Sequence, residues 1–258
     1  MVRLILLLLA AILYLILTLP VLFILWLIGK KNPDLRERAA SAMIRWIFRV
    51  LLAGAGVKVT VIGQDRIPSD TAVLYVGNHR SIFDIILTYV RSPRATGYVA
   101  KKELGKIPLF SQWARYIGCL FFNRNDIKEG MKMILDGVAM LKAGKSVFIF
   151  PEGTRNKNES DLPLLPFHEG SFKMASKSGC PIVPVTFCNT INIWEGHFPW
   201  VRRAHLVLEY GEPIYVSELP PEQKKRVGAY TREIMEKMME KNQKLLQAEE
   251  RISFLPHS

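Results

Sequence analysis

The sequence has few cysteines, and their spacing matches no disulfide or metal pattern. Only three occur among 258 residues, Cys119, Cys180 and Cys188, and no two of them form a C-x-x-C pair. An odd number without paired spacing argues against a disulfide framework and a zinc site, so a reducing compartment is the simpler interpretation. Cys188 could be a nucleophile, but its position in an apolar run favours a buried strand thiol.

Other features are missing as well. The chain has no G-x-S-x-G segment, which presents the nucleophile in many lipid hydrolases. It has no internal repeat, and acidic residues are outnumbered: 35 Lys and Arg against 23 Asp and Glu give a formal net charge of +12. This balance favours an anionic partner, such as a phospholipid surface, a phosphorylated substrate or a nucleic acid. The length fits one large domain plus an appended segment.

Charged residues are absent from a long N-terminal run between Leu4 and Ile28. A bilayer core needs about 20 apolar residues, so this run is long enough to span one. A cleaved signal peptide is the competing interpretation, but the run is too long for its apolar region and no small-x-small site follows. Trp26, Lys30 and Lys31 resemble a membrane–water boundary.

The next segment, residues 34–53, alternates arginines with aromatic and aliphatic residues after a break at Pro33. A helix with one basic and one apolar side suits the lipid headgroup region, and packing on the soluble domain fits equally well. We therefore predict a two-helix membrane anchor in residues 1–54. Its Lys- and Arg-rich flank favours the cytoplasmic side. Spanning the bilayer and lying in one leaflet both fit the first helix.

Short β-branched runs alternate with helical patterns after residue 54. Strands are predicted at residues 57–62, 72–76, 96–100, 146–150, 182–187 and 205–210, and helices at 81–90, 110–117, 126–143, 167–178 and 222–250. This alternation predicts an α/β domain over residues 55–258, with a mixed, mostly parallel sheet flanked by helices and ending in a charged helix.

The first polar cluster, Asn78 to Asp84, follows a predicted strand and opens a helix. On a continuous helix His79 and Asp84 would lie on different faces, whereas a strand–turn–helix junction lets them meet. With Ser81 as the predicted N-cap, Asp84 can fix the tautomer of His79 and leave its other nitrogen as a base. The alternative is that Asp84 only caps the helix and His79 is an ordinary loop residue. No serine or cysteine is poised as a nucleophile, so direct attack by a substrate hydroxyl fits better than an acyl-enzyme.

Cationic residues follow three other predicted turns or strands. Arg155, in the segment at 150–155, can bind a phosphate through its planar guanidinium, and Thr154 and backbone amides can add hydrogen bonds. Arg124 and Lys101 are further candidates. Taken singly, each of these cations is more simply explained as a solvated surface charge.

Four blocks resemble those of the glycerolipid acyltransferases, most closely the 1-acyl-glycerol-3-phosphate (lysophosphatidic acid) acyltransferases. In chain order they are NHRSIFD at 78–84, GCLFFNR at 118–124, FPEGTR at 150–155 and VPV at 183–185. The first and third are specific, whereas VPV alone would carry no weight. VPV places Pro184 inside a predicted strand, which indicates a sheet edge or a bulge.

The resemblance implies the glycerolipid acyltransferase fold. It implies that His79, oriented by Asp84, deprotonates the free hydroxyl of lysophosphatidic acid, and that phosphatidic acid is the product. It also implies a set of substrate-binding residues: Lys101, Arg124 and Arg155 at the acceptor phosphate, Glu152 and Gly153 around the acceptor, and Pro184 near the acyl donor. The donor would be acyl-coenzyme A or acyl carrier protein, with no metal or redox cofactor.

Four positions depart from the usual family pattern and leave acceptor preference open: Arg80, Asn123, Asn156 and His168. An enzyme acting on glycerol phosphate or another lysophospholipid is the nearest rival. A lipid hydrolase, in which His79 activates water, is disfavoured because the G-x-S-x-G turn is missing. A non-catalytic lipid-binding protein needs no base, so the presence of both His79 and Asp84 argues against it. Nucleic-acid binding fits the charge but not the apolar N-terminal run.

Overall fold

The computed structural model describes residues 1–253, with side chains described to residue 249. Seven strands form the sheet: β1 (Lys58–Ile62), β2 (Leu74–Gly77), β3 (Thr96–Lys101), β4 (Leu120–Phe122), β5 (Ser146–Ile149), β6 (Ile182–Cys188) and β7 (His205–Tyr210). The α-helices are α1 (Val2–Leu17), α2 (Leu19–Lys31), α3 (Pro33–Ala55), α4 (Phe83–Arg91), α5 (Phe110–Tyr116), α6 (Ile127–Lys142), α7 (Lys173–Ser178), α8 (Pro221–Lys225) and α9 (Val227–Ser253).

The sheet is mixed and mostly parallel, as predicted. Its strand order is β1-β7-β6-β2-β5-β3-β4, and the β6–β7 pair is antiparallel while the other pairs are parallel. The carboxyl ends of β2, β3, β4, β5 and β6 therefore lie at one edge of the sheet. In open α/β sheets this edge is where ligands bind.

Two apolar clusters cover the two faces of the sheet. In β2, the side chain of Tyr75 belongs to one cluster, and those of Leu74 and Val76 belong to the other. The Tyr75 side packs against α2, α3 and α4, and the opposite side packs against α6, α7 and α9. This division follows from the alternation of side chains along a strand. The N-terminal helices and the C-terminal helix therefore lie on opposite faces.

The N-terminal apolar run is divided into two helices, which corrects the predicted two-helix anchor to three helices, α1 to α3. Pro20, the second residue of α2, has no N–H to donate and crowds the preceding turn, so the chain bends by 50° at this point. Within residues 1–253 no single helix is both long and apolar enough to cross a bilayer. The pair α1 and α2 meets the condition only together, across the bend.

Helix α3 packs on the domain, which is one of the two interpretations that its sequence left open. Its inner side packs on the domain: the hydroxyl of Tyr89 donates to Ser41 Oγ at 3.0 Å, and Arg45 donates to the carbonyl of Ser92 at 2.9 Å. On its outer side Trp46 is 59% exposed, and Arg49 is also exposed. The helix is thus part of the folded domain while presenting an aromatic and basic surface.

Pro184 does not lie at a sheet edge, because β6 lies between β7 and β2. The edge prediction is wrong, and the alternative of a bulge fits. Val185 pairs with Tyr210, whereas Ile182 pairs with Ile214, one residue out of that register. A proline that cannot donate to the ladder is tolerated at this interruption.

Some predicted boundaries differ from the structure. The predicted helix at 81–90 begins at Phe83, and the one at 167–178 is α-helical only from Lys173, after a 3-10 turn. The C-terminal helix is divided at Arg226. Strand Leu120–Phe122 was not predicted, because three residues are too few for a periodic pattern. The predicted domain ended at residue 258, and residues 254–258 lie outside the described part of the chain.

Candidate active site

The motif residues meet at the carboxyl edge of the sheet. His79 and Asp84 follow β2, the FPEGTR segment at 150–155 follows β5, Lys101 ends β3, and Arg124 follows β4. Since these four strands are parallel neighbours in the order β2-β5-β3-β4, their turns are adjacent. Three of the sequence blocks, far apart in the chain, thus end at the same side of the sheet.

His79 and Asp84 are in direct contact. His79 Nδ1 lies 2.9 Å from Asp84 Oδ2, and the same oxygen accepts the backbone N–H groups of Arg80 and Ser81, both at 2.8 Å. Asp84 is fully buried, and His79 is 9% exposed. An ionised carboxylate can only accept, so we assign the proton of the imidazole to Nδ1. Nε2 then carries the lone pair that a general base needs.

The helix cap differs from the prediction. Helix α4 begins at Phe83 with Ile82 as its N-cap, so Ser81 is not the N-cap residue, although its Oγ accepts the N–H of Phe83 at 3.1 Å. Asp84 does not simply cap the helix. Its carboxylate bonds backwards to the turn and to His79, so it closes the strand–turn–helix junction.

The turn after β5 holds His79 in place. The imidazole stacks on the ring of Phe150, with 4.1 Å between centroids. The backbone N–H of His79 donates to Glu152 Oε1 at 2.9 Å, and the carbonyl of His79 accepts the N–H of Asn156 at 2.7 Å. The other Glu152 oxygen accepts the N–H of Leu165 at 3.1 Å. Burial raises the pKa of Glu152, and these two hydrogen bonds oppose the shift. Glu152 therefore braces two turns in the structure.

Gly153 occupies a position that favours glycine. Its φ is +71°, and a Cβ at this residue would lie 3.0 Å from Nε2 of His168. Positive φ costs little only for glycine. Thr154, the next residue, is exposed, and among the described residues its hydroxyl has no hydrogen-bond partner. The turn after β5 therefore presents a free hydroxyl next to Arg155 in the chain.

Glu195, which no motif contained, joins the two central turns. Its carboxylate accepts the hydroxyl of Ser81 at 2.7 Å and the N–H of Ile82 at 2.8 Å, and its Oε1 lies 3.4 Å from Arg155 Nη1. The side chain of Arg155 is still 41% exposed. The one sequence signal for Glu195 is an acidic residue within an aromatic and basic segment, which is too weak to single it out.

Arg80, one of the departures from the family pattern, is buried, with 2% of its surface exposed. Its Nε lies 3.2 Å from Asp161 Oδ1, and its terminal nitrogens donate to the carbonyls of Asn158, at 2.6 Å, and Ser160. Asp161 in turn accepts the N–H of Asn189 at 3.1 Å. Arg80 therefore fixes the loop after FPEGTR against the turn that carries His79.

The remaining predicted residues are less closely placed. Lys101 is exposed and lies 3.7 Å from Glu103, and Arg124 is exposed beyond β4. Both lie at the same sheet edge as His79, but no contact with His79 or Arg155 is present in the described residues. Pro184 is buried inside β6. Its predicted place near an acyl donor therefore stays a prediction.

Cysteine chemistry does not contribute to the site. Cys188 is fully buried in β6, as its apolar surroundings predicted, and burial raises the pKa of its thiol well above the usual range. Burial also raises the pKa of Cys119 to about 11. Within residues 1–253, no group of three His, Cys, Asp or Glu side chains has a geometry suited to a metal ion.

Known proteins are similar to this chain in sequence and in fold. A family model described as acyltransferase matches residues 58–188. The 1-acyl-sn-glycerol-3-phosphate acyltransferase of Haemophilus influenzae is 31% identical over 218 residues, covering 80% of this chain and 82% of that protein. The enzyme of the same name from Escherichia coli K12 is 33% identical over 191 residues, 70% and 72% of the two chains. For the Borreliella burgdorferi enzyme the match is 33% over 157 residues, 61% of this chain and 62% of that protein, less than two thirds of its length.

A solved structure has the same fold. The crystal structure of the 1-acyl-sn-glycerophosphate acyltransferase from Thermotoga maritima aligns with a TM-score of 0.75 at 23% identity, over 93% of this chain and 97% of that one. The acyltransferase match begins at β1 and ends at the last residue of β6, so it includes all the turns described above. The chain belongs to the acyltransferase family.

Proposed function

We propose that this protein transfers a fatty acyl group from a thioester to the free hydroxyl of 1-acyl-sn-glycerol-3-phosphate, giving phosphatidic acid. The buried hydrogen bond between His79 and Asp84, at the carboxyl edge of the sheet, is the observation that carries this proposal. The relatives that bear this activity in their names support the choice of acceptor.

The chemistry follows from the tautomer assigned to His79. Nε2 takes the proton of the acceptor hydroxyl, and the oxygen attacks the thioester carbonyl carbon. The tetrahedral intermediate then collapses, the C–S bond breaks, and the thiolate leaves with the proton returned by the imidazolium. Asp84 stabilises that imidazolium and keeps the ring in position. Ser81 is bonded to Glu195, and Cys188 is buried in β6. Neither is free to form an acyl-enzyme, which supports direct transfer.

Arg155 is the cation best placed to bind the acceptor phosphate. It approaches the His79 turn through Glu195, and its partly exposed guanidinium can pair with a phosphate bidentately. The free hydroxyl of Thr154, the preceding residue, adds a donor. Lys101 and Arg124, farther along the sheet edge, would attract the same anion at longer range.

Removing Arg155 tests the phosphate site. Arg155→Ala should raise the acceptor KM about tenfold and change kcat little, because a charge-assisted hydrogen bond contributes about 1.5–3 kcal/mol and the exposed guanidinium realises only part of it. Lys132→Ala, which removes one exposed charge on α6, is the matched control. An acceptor KM unchanged from the native protein would remove Arg155 from the phosphate site.

The reaction itself is tested with purified protein in detergent. Labelled acyl-coenzyme A or acyl carrier protein is supplied with lysophosphatidic acid or with glycerol phosphate, and the lipid products are separated. Phosphatidic acid formed from lysophosphatidic acid supports the proposal, and the preferred thioester identifies the donor. Product from glycerol phosphate alone would assign a different acceptor, and free fatty acid alone would indicate hydrolysis.

The lipid acceptor and product also account for the N-terminal helices. We propose that α1 and α2 attach the enzyme to the cytoplasmic side of a membrane, with the outer side of α3 in the headgroup region. Exposed apolar residues run along α1 and include Leu6, Leu9 and Leu13, each at least half exposed. In water such a surface would be unfavourable, and a lipid layer covers it.

Deleting residues 1–31 should release the protein from membranes. The cut precedes α3, whose contacts with Tyr89 and Ser92 hold it to the domain. We expect the truncated chain to appear in the supernatant after sedimentation of vesicles and to keep the circular dichroism that its remaining helices and strands predict. If it still sediments with vesicles in the absence of detergent, α1 and α2 are not the attachment.

A further inference from the structure

The segment between β6 and β7 places large aromatic side chains in solvent. Phe198 is 71% exposed and Trp200 is 51% exposed, and both Arg202 and Arg203 that follow are exposed. Single exposed apolar residues are ordinary, but two neighbouring aromatic residues with an adjacent pair of arginines are a local concentration. We call residues 194–203 the aromatic loop.

The aromatic loop is built as a compact turn. The N–H of His197 donates to the carbonyl of Trp194 at 2.9 Å, and that of Trp200 donates to the carbonyl of His197 at 2.7 Å. At the end of the loop, the backbone N–H of Arg202 donates to the carbonyl of Ile193, a fully buried residue, at 2.9 Å. These bonds fix the backbone, so Phe198 and Trp200 stay at the surface.

The aromatic loop lies on the sheet face that carries the apolar helices. Trp194 packs against the core cluster shared with α2 and α3. Arg203 lies beside Gly56, the cap of α3, since a Cβ at Gly56 would be 2.9 Å from its Cγ. The same end of α3 contacts the start of α1, where Leu7 approaches Gly54. The end of the aromatic loop therefore adjoins the end of α3 that meets α1.

The base of the aromatic loop belongs to the site. Glu195 accepts hydrogen bonds from Ser81 and Ile82 and contacts Arg155. A surface contact made by Phe198 and Trp200 is thus only a few residues from the turns that hold His79. Glu195 lies in the same loop as Phe198 and Trp200, so this loop links the exposed aromatic side chains to the proposed acceptor site.

We infer that the aromatic loop is a second contact with an anionic phospholipid surface, in which Phe198 and Trp200 enter the headgroup region and Arg202 and Arg203 bind lipid phosphates. Aromatic rings with a polar edge favour that region, and cationic side chains extend to its phosphates. Lipid is favoured over a protein partner because the loop adjoins helices whose exposed apolar side chains are proposed to contact lipid. The inference rests on the proposed function, and it places the acceptor site beside the bilayer from which the acceptor comes.

A fluorescent label tests the contact directly. Phe198→Cys is labelled with an environment-sensitive dye in the full-length protein, which is reconstituted into phosphatidylcholine vesicles with or without phosphatidylglycerol. Lys132→Cys on α6, which packs on the opposite sheet face, is the control. We expect lipid-borne spin labels to quench the dye at position 198 and not at position 132. Equal, weak quenching at both positions would overturn the inference, and it does not depend on catalysis.

Activity gives a second, independent measurement. Phe198→Ser with Trp200→Ser should lower transfer to a vesicle-borne acceptor by at least about tenfold, since burial of the two rings is lost. Transfer to a short-chain, freely dissolved acceptor should be unchanged. An equal loss of transfer to both acceptors, or no loss with either, would contradict a membrane role for the loop. If the native protein acylates neither acceptor, the proposed function fails, while the label still decides whether the loop meets lipid.

Discussion

Replacing His79 by alanine is expected to lower the rate of acyl transfer by about 10²–10⁴-fold, the range that a positioned general base contributes. The hydroxyl of the acceptor is a poor nucleophile while it keeps its proton, and no other base contacts the Asp84 carboxylate. Single-turnover measurements with saturating donor and acceptor isolate the chemical step from binding and product release.

Asp84→Asn is expected to cause a loss similar to that of His79→Ala, because the two residues act as one unit. An amide can accept the three N–H groups that now converge on Oδ2, but it supplies no charge for the imidazolium. His168→Ala is the matched control. His168 is exposed beside Gly153, so this variant should retain most of the activity. Near-native transfer by a folded His79→Ala protein would sink the base assignment.

Arg80→Met is expected to destabilise the fold by about 3 kcal/mol. Removing one partner of a buried pair leaves the other charge uncompensated, and here it would strand Asp161, whose side chain is 13% exposed. Two carbonyls, of Asn158 and Ser160, would also lose their donors. For a chain of this length the melting temperature in detergent should fall by about 6–12 °C.

A double variant separates charge from packing at Arg80. Arg80→Met with Asp161→Asn should recover part of the lost stability, because no unpaired charge is then buried. Lys132→Met, which breaks the exposed pair with Asp136, should change stability by less than about 0.5 kcal/mol. If the Arg80→Met protein has the same melting temperature as the native protein, the guanidinium does not hold the loop as described.

The meeting of His79 with Asp84 could be predicted from the sequence, because a strand–turn–helix junction is a local structure. The alignment of the FPEGTR turn with that junction could also be anticipated, since parallel strands bring their carboxyl ends together. The Glu195 contact could not, because 113 residues separate it from Ile82 and its loop has no periodic pattern. The edge prediction for Pro184 failed for a related reason. A rule about proline within one strand cannot predict a change of register between β6 and its neighbour in the middle of the sheet.

The N-terminal region shows a similar limit. Hydropathy measured the length of the apolar run correctly, but the bend between α1 and α2 depends on a missing N–H at Pro20 rather than on hydropathy. The burial of Arg80 could not be predicted from the sequence either. An arginine beside a candidate base suggests a substrate ligand, and only the structure shows its three protein partners.

The backbone of His79 is held at both ends by the turn after β5, because Glu152 accepts its N–H and Asn156 donates to its carbonyl. These two hydrogen bonds therefore join the base to the turn that carries Arg155. If Arg155 binds the acceptor phosphate as proposed, the acceptor is held on the same turn that positions the backbone of His79. An acceptor without a phosphate would then lose chiefly affinity, so discrimination between acceptors would appear in the acceptor KM and in kcat/KM rather than in the rate at saturation.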